Sequence, residues 1–234
     1  LAKLKGFGAK SEENILAGIE LHKKRKERML LGEAFPTAQA LVSQLKKLKD
    51  IKTAVAGGSL RRMKETIGDI DILIVPKDSK AATTSKIMNY FTSLPEIKQV
   101  LAKGNTKSSV VLRDGIRADV RVLPEKSYGA ALQYFTGNID HNVKLRGIAI
   151  KKGYKLSEYG LFDRKTNKLV AGRTEEEVYK KLGLTYIAPE LRENLGEIEA
   201  AQKGKLPNLV QLKDIKGDLH LHTRWSDGSN TIEQ

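Results

Sequence analysis

The sequence predicts an α+β fold in which helices pack against a mixed or mostly antiparallel sheet. Residues 69–75 and 117–123 alternate apolar and polar side chains with the period of a strand. Asp114-Gly115 lies just before the second of these segments and is typical of a hairpin turn. Segments 37–48 and 81–91 carry apolar residues at helical spacing. Strands and helices mixed in this way favour a sheet with helices on one face.

The other elements follow from the same patterns and from breaker residues. Pro36 is predicted to break the chain just before helix 37–48, and Gly57-Gly58-Ser59 to end a strand at 52–56. Glutamates at the start and lysines at the end of segment 174–182 suit the helix dipole. The remaining predictions are helices at 128–135 and 140–152 and strands at 100–102, 109–112, 155–161 and 169–171.

The charge balance indicates a polyanionic partner. The 234 residues include 42 Lys and Arg against 28 Asp and Glu, a formal net charge of +14. There is no cysteine, which excludes disulfides and thiolate chemistry and fits a reducing compartment. No run of 18 apolar residues is present, so we expect no membrane span and a cytoplasmic protein. Because the chain starts at Leu1 and not at Met, we expect it to be a fragment.

The chemistry is concentrated in one ordered motif. Six residues separate Gly58-Ser59-Leu60-Arg61-Arg62 from Asp69-Ile70-Asp71. Residues two apart on a strand share a face, so Asp69 and Asp71 should point together while Ile70, Ile72 and Ile74 enter the core. The Gly-Ser turn should open a short helix whose backbone N–H groups approach phosphate oxygens. Arg61 and Arg62 are predicted to clamp those phosphates.

Paired carboxylates on an apolar strand require a compensating cation. They repel each other, and their hard oxygens suit Mg²⁺ shared with phosphates. The alternative is a solvated strand edge beside an ordinary glycine turn, which the order of the whole motif disfavours. Asp119 supplies the third carboxylate expected for a two-metal site, and it shares a strand face with Arg117 and Arg121.

At this point the chain resembles the family X DNA polymerases, the DNA polymerase beta-like enzymes. The resemblance rests on the Gly58 to Asp71 motif and on Tyr134-Phe135-Thr136-Gly137 followed by Asn142 and Arg146. It also includes Glu158-Tyr159-Gly160-Leu161. It covers nearly all of residues 1–200. It departs at Asn138-Ile139, where many members carry Ser and then an acidic residue.

The resemblance implies a hand-shaped arrangement of domains. We expect a fingers segment with a helix-hairpin-helix at 1–35, a catalytic nucleotidyltransferase palm at 36–124 and a nucleotide-binding α+β thumb at 125–204. A linker at 205–216 and the truncated start of a further domain at 217–234 complete the chain. The implied reaction adds a dNMP to a primer 3′-hydroxyl in template-directed gap filling during DNA repair.

The resemblance also assigns the site residues. Asp69 and Asp71 would bridge two Mg²⁺ ions, with Mn²⁺ as a substitute, and Asp119 would hold the catalytic ion. The residues implied to bind the nucleotide are Arg28, Gly58, Ser59, Arg62, Tyr134, Phe135, Gly137 and Asn142. Those implied to bind DNA are Lys5, Gly6, Gly8, Lys10, Arg117, Arg121 and Arg146. A monovalent cation at the helix-hairpin-helix is a further implied ligand. The implied partners are gapped or primer-template DNA and a dNTP. The protein is expected to be a monomer that associates with the nucleoid.

The tail resembles the start of a polymerase-and-histidinol-phosphatase (PHP) domain. His220 and His222 lie two residues apart, and Asp227 follows shortly after. Three ligands are too few for such a cluster, so we expect no bound metal at this remnant.

Two other functions stay open on the residues alone. Another nucleotidyltransferase, such as an RNA-tailing or small-molecule adenylylating enzyme, would share the palm but should lack Tyr134-Phe135-Thr136-Gly137 and the helix-hairpin-helix. A DNA-binding module without catalysis would not need Asp69, Asp71 and Asp119. Magnesium-dependent primer extension separates these possibilities.

Overall fold

The computed structural model describes residues 28–217 and 219–234. A five-stranded mixed sheet in the order β2-β4-β7-β6-β5 forms the first half. Strand β4 pairs in parallel with β7, and the other neighbouring strands pair antiparallel. The strands of this half are β1 (Met29–Leu30), β2 (Ile51–Ala56), β3 (Thr66–Ile67), β4 (Asp69–Pro76), β5 (Ile97–Lys103), β6 (Lys107–Leu112) and β7 (Arg117–Val122).

Helices cover both faces of this sheet. On one face, Ile70, Ile72 and Ile74 of β4 are fully buried against two long helices, as the alternation predicted. On the other face, Leu73 packs against the helix Tyr128–Thr136, because β4 is apolar on both faces beyond its first three residues. The helices of the chain are α1 (Leu31–Lys46), α2 (Gly58–Arg61), α3 (Ala81–Thr92), α4 (Tyr128–Thr136), α5 (Ile139–Lys151), α6 (Glu175–Lys181) and α7 (Glu197–Gln202).

The second half is a smaller α+β unit with its own core. Helices α4, α5, α6 and α7 pack with an antiparallel sheet in the order β10-β9-β8. Leu145, Leu161, Val178 and Ile198 are buried in that core. Its strands are β8 (Tyr154–Ser157), β9 (Gly160–Asp163) and β10 (Leu169–Ala171). None of the helices in the described ranges is long and apolar enough to cross a membrane.

Three details of the sequence prediction are wrong. The sequence predicts helices on one face of the sheet, but they lie on both, because β4 is apolar on both faces. Pro36 does not break the chain, because α1 begins at Leu31 and runs through it. Proline so near a helix start leaves only the carbonyl of Gly32 without its N–H partner, and Gly32 is exposed to water. The single strand expected at 155–161 is two strands, β8 and β9, joined by a tight turn.

Close backbone packing joins α4 to the loop before α6. Gly129 donates its N–H to the Arg173 carbonyl at 3.0 Å, and a Cβ on Gly129 would lie 2.1 Å from the carbonyl carbon of Thr174. We expect Gly129→Ala to lower the free energy of unfolding by about 2–3 kcal/mol, the cost of overpacking. Urea denaturation measures this.

Gly147→Ala is the matched control, since Gly147 lies in α5 and a Cβ there meets nothing within 4 Å. It should be neutral or stabilising, because alanine is the better helix former. Equal stability of the two variants would contradict the packing argument.

Candidate active site

A cavity of about 750 Å³ opens between the two halves and collects most of the predicted nucleotide residues. From the sheet side it is lined by the start of β4 and by the turn into α2. From the other side it is lined by the end of α4 and the start of α5. Eleven of the predicted site residues line this cavity, namely Arg28, Gly58, Ser59, Arg62, Asp69, Asp71, Tyr134, Phe135, Gly137, Asn142 and Arg146.

The three predicted metal carboxylates lie on neighbouring strands. In the parallel pair β4 and β7, Asp71 is the direct register partner of Asp119, and Asp69 is the partner of Arg117. Burial and the charges of Asp69 and Asp119 raise the pKa of Asp71 to about 6. The site therefore holds more negative charge than it neutralises around Asp71, which a bound cation would relieve.

Asp119 is engaged by cations of the protein itself. The Arg117 guanidinium donates to both carboxylate oxygens at 2.9 and 2.8 Å, and Lys107 Nζ lies 3.3 Å from Oδ2. Burial acts to raise the Asp119 pKa, but the hydrogen bonds and charges of Arg117, Ser109 and Lys107 outweigh it and hold that pKa below its usual range. Within the described ranges no three acidic or histidine side chains converge as a preformed metal cluster.

Gly58 allows the phosphate-side turn to approach the carboxylates. Its φ is +62°, and a Cβ there would lie 3.1 Å from Asp71 Oδ2. Gly57 donates its N–H to the Asp71 carbonyl at 2.8 Å, so the turn is tied to β4. Ser59 is half-buried on the cavity wall. The turn, the short helix and the carboxylates thus form one continuous surface.

The two arginines of the motif separate. Arg62 lines the cavity, whereas Arg61 turns away and binds both oxygens of Glu175 at 2.9 and 2.6 Å. Glu175 is buried and also accepts from the fully buried Arg192 at 2.6 Å. The prediction that Arg61 clamps phosphate is therefore wrong, because a buried glutamate already satisfies it.

Arg28, unlike Arg61, lines the cavity. Its Nε and Nη2 donate to the side chain and carbonyl of Thr66 at 2.7 and 2.6 Å. Arg28 and Arg62 thus both line the cavity, and two guanidinium groups in one cavity suit a polyphosphate.

The Tyr134-Phe135-Thr136-Gly137 segment forms the opposite wall. The rings of Tyr134 and Phe135 meet edge to face with centroids 5.1 Å apart. Gly137 has a φ of +72°, and a Cβ there would lie 3.1 Å from Arg62 Nη1, so this position favours glycine. The peptide between Gly137 and Asn138 is cis.

Asn142 lies beside this wall with its amide already bonded. It is buried, donates to the Tyr134 carbonyl at 2.7 Å and accepts from Gln133 at 2.6 Å. Arg146 lies one helical turn later on the cavity edge, half-buried. Their roles toward a base and a template stay predictions.

The predicted DNA residues fall into three groups. Arg117 is held by Asp119, and Arg121 lies over the Phe135 ring at 4.5 Å from its centroid. Arg146 reaches the cavity. Lys5, Gly6, Gly8 and Lys10, with the expected helix-hairpin-helix, lie outside the described residues.

The tail residues lie together at the surface. His222 Nδ1 is 2.6 Å from Asp227 Oδ1, and the Nε2 atoms of His220 and His222 are 2.9 Å apart. Leu219, Leu221 and Trp225 beside them are each more than three-quarters exposed. The resemblance to a PHP domain stays a prediction.

Comparison with known proteins fits this geometry. A family model described as the DNA polymerase beta palm matches residues 28–123, and one described as the DNA polymerase beta thumb matches residues 131–193. The Repair DNA polymerase X of African swine fever virus (isolate Warthog/Namibia/Wart80/1980) is 34% identical over 148 residues. That alignment covers 60% of this chain and 82% of the viral protein. The chain belongs to the family X DNA polymerases.

Other members of family X extend the comparison. The DNA polymerase/3'-5' exonuclease PolX of Bacillus subtilis (strain 168) is 38% identical over 233 residues, 99% of this chain. The chain spans 40% of the length of that relative. A structure of Leishmania infantum polymerase beta in a ternary P/T complex matches with a TM-score of 0.65 and 25% identity, covering 82% of this chain and 96% of that one.

Sequence reasoning missed three contacts that shape the site, one of them made by Thr136 of the predicted motif. Lys107 approaches Asp119, Thr136 offers its carbonyl to Arg62 Nη1, and Glu193 accepts from Arg62 Nε at 2.7 Å. Arg62 and Glu193 are 131 positions apart, so no local spacing could have linked them.

Proposed function

We propose that the chain is a template-directed DNA polymerase that adds a dNMP to a primer 3′-hydroxyl and fills short gaps in repair. The supporting observation is the cavity in which Arg28, Ser59 and Arg62 face the Asp69–Asp71 carboxylates. The first set suits a triphosphate and the second a divalent cation, and phosphoryl transfer needs both. Family membership and the Tyr134 wall disfavour an RNA-tailing or adenylylating enzyme.

The donor set suits Mg²⁺ in particular. Asp69, Asp71 and Asp119 offer hard oxygen ligands. The raised pKa of Asp71 reflects its burial and the repulsion of Asp69 and Asp119, which a bound cation offsets. In our proposal Asp69 and Asp71 would hold both ions, and Asp119 would hold the catalytic ion in place of its contacts with Arg117 and Lys107. Bound divalent ions activate the attacking hydroxyl and neutralise the phosphate charge. Mn²⁺ is a proposed substitute.

The work of the protein groups is positioning. Arg28, Ser59 and Arg62 hold the triphosphate, so that its α-phosphorus faces the primer hydroxyl beside Asp119. Tyr134 and Phe135 support the sugar, and the Gly137 turn limits room for a ribose 2′-hydroxyl. Pyrophosphate leaves on the Arg28 and Arg62 side.

The test is extension of a primer across a one-nucleotide gap with Mg²⁺. Incorporation directed by the template base supports the proposal. Extension without regard to the template would favour a nucleotidyltransferase of another kind, and DNA binding without extension would favour a non-catalytic module.

We also propose the domain division and its partners. The division is a palm to 124, a thumb at 125–204, a linker at 205–216 and a PHP start at 217–234. The palm match at 28–123 and the thumb match at 131–193 support the first two of these domains. We shift the end of the fingers segment toward residue 28, because α1 runs unbroken across residue 35. The same proposal includes a monomeric protein that associates with the nucleoid. It also includes a monovalent cation bound at the helix-hairpin-helix.

DNA affinity should depend strongly on salt and little on sequence. A chain with a net charge of +14 gains affinity by releasing counterions from phosphates. With six or more phosphate contacts, we expect the association constant to fall about a thousandfold between about 50 and 200 mM salt. Fluorescence anisotropy on gapped duplexes of two unrelated sequences measures both properties.

Arg146→Gln tests one predicted contact in the same titration. Loss of one phosphate contact should reduce the slope of log affinity against log salt by about 1. A salt-independent affinity for wild type would show that phosphates do not dominate binding.

A further inference from the structure

Glu193 links the cavity arginine to the start of α5. Its Oε1 accepts from Arg62 Nε at 2.7 Å, and its Oε2 accepts from Asn138 Nδ2 at 3.1 Å. Asn138 is the N-cap of α5, the helix that carries Asn142 and Arg146. The Glu193 and Arg62 side chains are only 20% and 12% exposed, so water screens this pair weakly. One carboxylate therefore contacts both walls of the cavity.

The turn that carries Glu193 is held in place by buried contacts on both sides. Before it, Arg192 is fully buried and donates to the Ile187 carbonyl and to Glu175. After it, the Glu197 carboxylate accepts the backbone N–H groups of Asn194 and Leu195 at 3.0 and 2.7 Å. The position of Glu193 is thus set by the thumb and does not depend on Arg62.

Glu197 is itself anchored in the thumb. It lies 2.6 Å from His141 Nδ1, and His141 Nε2 lies 2.9 Å from the Tyr179 hydroxyl. All three residues are buried. The match to the thumb family model ends at residue 193, and Glu197 begins helix α7. The Glu197 side of this anchor therefore lies outside the part of the thumb that the family model matches.

Arg62 is fixed from two directions. Nε is bound by Glu193, and Nη1 donates to the Thr136 carbonyl at 2.5 Å. Within the described part of the chain Nη2 makes no hydrogen bond, and Arg62 lines the cavity. Because the guanidinium is a rigid planar fork, fixing Nε and Nη1 also fixes the direction of Nη2.

We propose that Glu193 is a positioning residue for the incoming triphosphate: it holds Arg62 so that Nη2 presents to the phosphates. This inference rests on the proposed function, in which the cavity takes a dNTP. A free arginine side chain loses rotamer freedom when it binds, and Glu193 has already removed that freedom. Lys64 Nζ lies 3.8 Å from Glu193 Oε1, so the carboxylate charge is shared between two cations and repels phosphate little.

The experiment compares three variants in one-nucleotide gap filling with Mg²⁺. Glu193→Ala should raise KM for the dNTP about tenfold, the scale of one charge-assisted hydrogen bond, and leave kcat within about twofold. Glu193→Gln keeps an oxygen acceptor and should recover most of the lost affinity. Glu190→Ala removes an exposed carboxylate from the same segment and should leave KM and kcat unchanged.

A mutant cycle shows whether Glu193 acts through Arg62. Arg62→Ala should raise KM by itself, and Glu193→Ala in that background should add nothing further. Equal KM values for Glu193→Ala and Glu190→Ala, or additive effects in the cycle, would overturn the inference. A KM that Arg62→Ala does not change would instead overturn the triphosphate assignment of the proposed function.

Protein stability is measured on the same variants. If Glu193→Ala unfolds before assay, Glu193→Gln decides, because it preserves side-chain volume and one oxygen that can still accept from Arg62 Nε. A KM for Glu193→Gln between those of wild type and Arg62→Ala supports the inference. A fall in kcat with unchanged KM contradicts it.

Discussion

Asp119→Ala should reduce primer extension by several orders of magnitude while leaving the fold and DNA binding intact. In the proposed mechanism Asp119 would hold the ion that activates the primer hydroxyl, and β7 carries no other carboxylate. The lost group acts on the chemical step, so the effect should appear in kcat. Single-turnover gap filling with saturating Mg²⁺ and dNTP measures it.

Two controls separate chemistry from folding. Asp119→Asn retains side-chain volume and should be nearly as inactive as Asp119→Ala. Asp114→Asn makes the same change at the turn of the same hairpin, where an amide oxygen can still accept from the Ile116 N–H. It should extend primers like wild type. Near wild-type extension by Asp119→Ala would show that the metal assignment is wrong.

Glu175→Ala should destabilise the protein by about 3–5 kcal/mol, the range for breaking a buried ion pair from one side. Glu175 binds Arg61 and Arg192 and accepts from the Tyr186 hydroxyl at 3.2 Å. Arg192 is fully buried, so removal of Glu175 leaves a guanidinium charge without water or a counter-ion. Urea denaturation followed by circular dichroism measures the loss.

The pH dependence of the free energy of unfolding tests the contribution of Glu175 in a second way. Burial acts to raise the pKa of Glu175, but the hydrogen bonds and charges of Arg61 and Arg192 outweigh it and hold that pKa below its usual range. A depressed pKa means that the stabilisation is present above the ordinary glutamate pKa and is lost as the pH falls below it. Wild type should therefore lose more stability than Glu175→Ala over that acidic range.

The neighbouring Glu176→Ala is the control. Glu176 is exposed on the same helix, and its removal should change stability by less than about 0.5 kcal/mol. Similar stabilities for Glu175→Ala and Glu176→Ala would show that the buried cluster contributes nothing net.

Sequence reasoning recovered the features that depend on neighbouring residues. The alternation in β4 placed Ile70, Ile72 and Ile74 in the core and the two aspartates on the opposite face. The Asp114-Gly115 turn joined β6 to β7 as expected, with Gly115 at a φ of +92°. Each of these signals lies within a few residues and follows from backbone geometry alone.

The features it missed depend on distant residues. By local spacing Arg61 and Arg62 are equivalent, and only the family resemblance singled out Arg62. In the structure the two are separated by their contacts with Glu175 and Glu193, more than 110 positions away. The start of α1 was missed because Pro36 is a strong local signal, which the burial of Ala34 and Ala38 overrides. Local sequence patterns cannot predict contacts between residues so far apart in the chain.

The parallel pairing of β4 with β7 has a consequence for how this chain can change in length. Asp71 and Asp119 are aligned by the hydrogen-bond ladder between the two strands and not by the connection that separates them in sequence. The tip of that connection, at Asn105, is exposed at the far end of the β5–β6 hairpin. We therefore expect insertions or deletions at Asn105 to leave the carboxylate alignment unchanged, which makes this tip suitable for a fluorescent or affinity label on the palm.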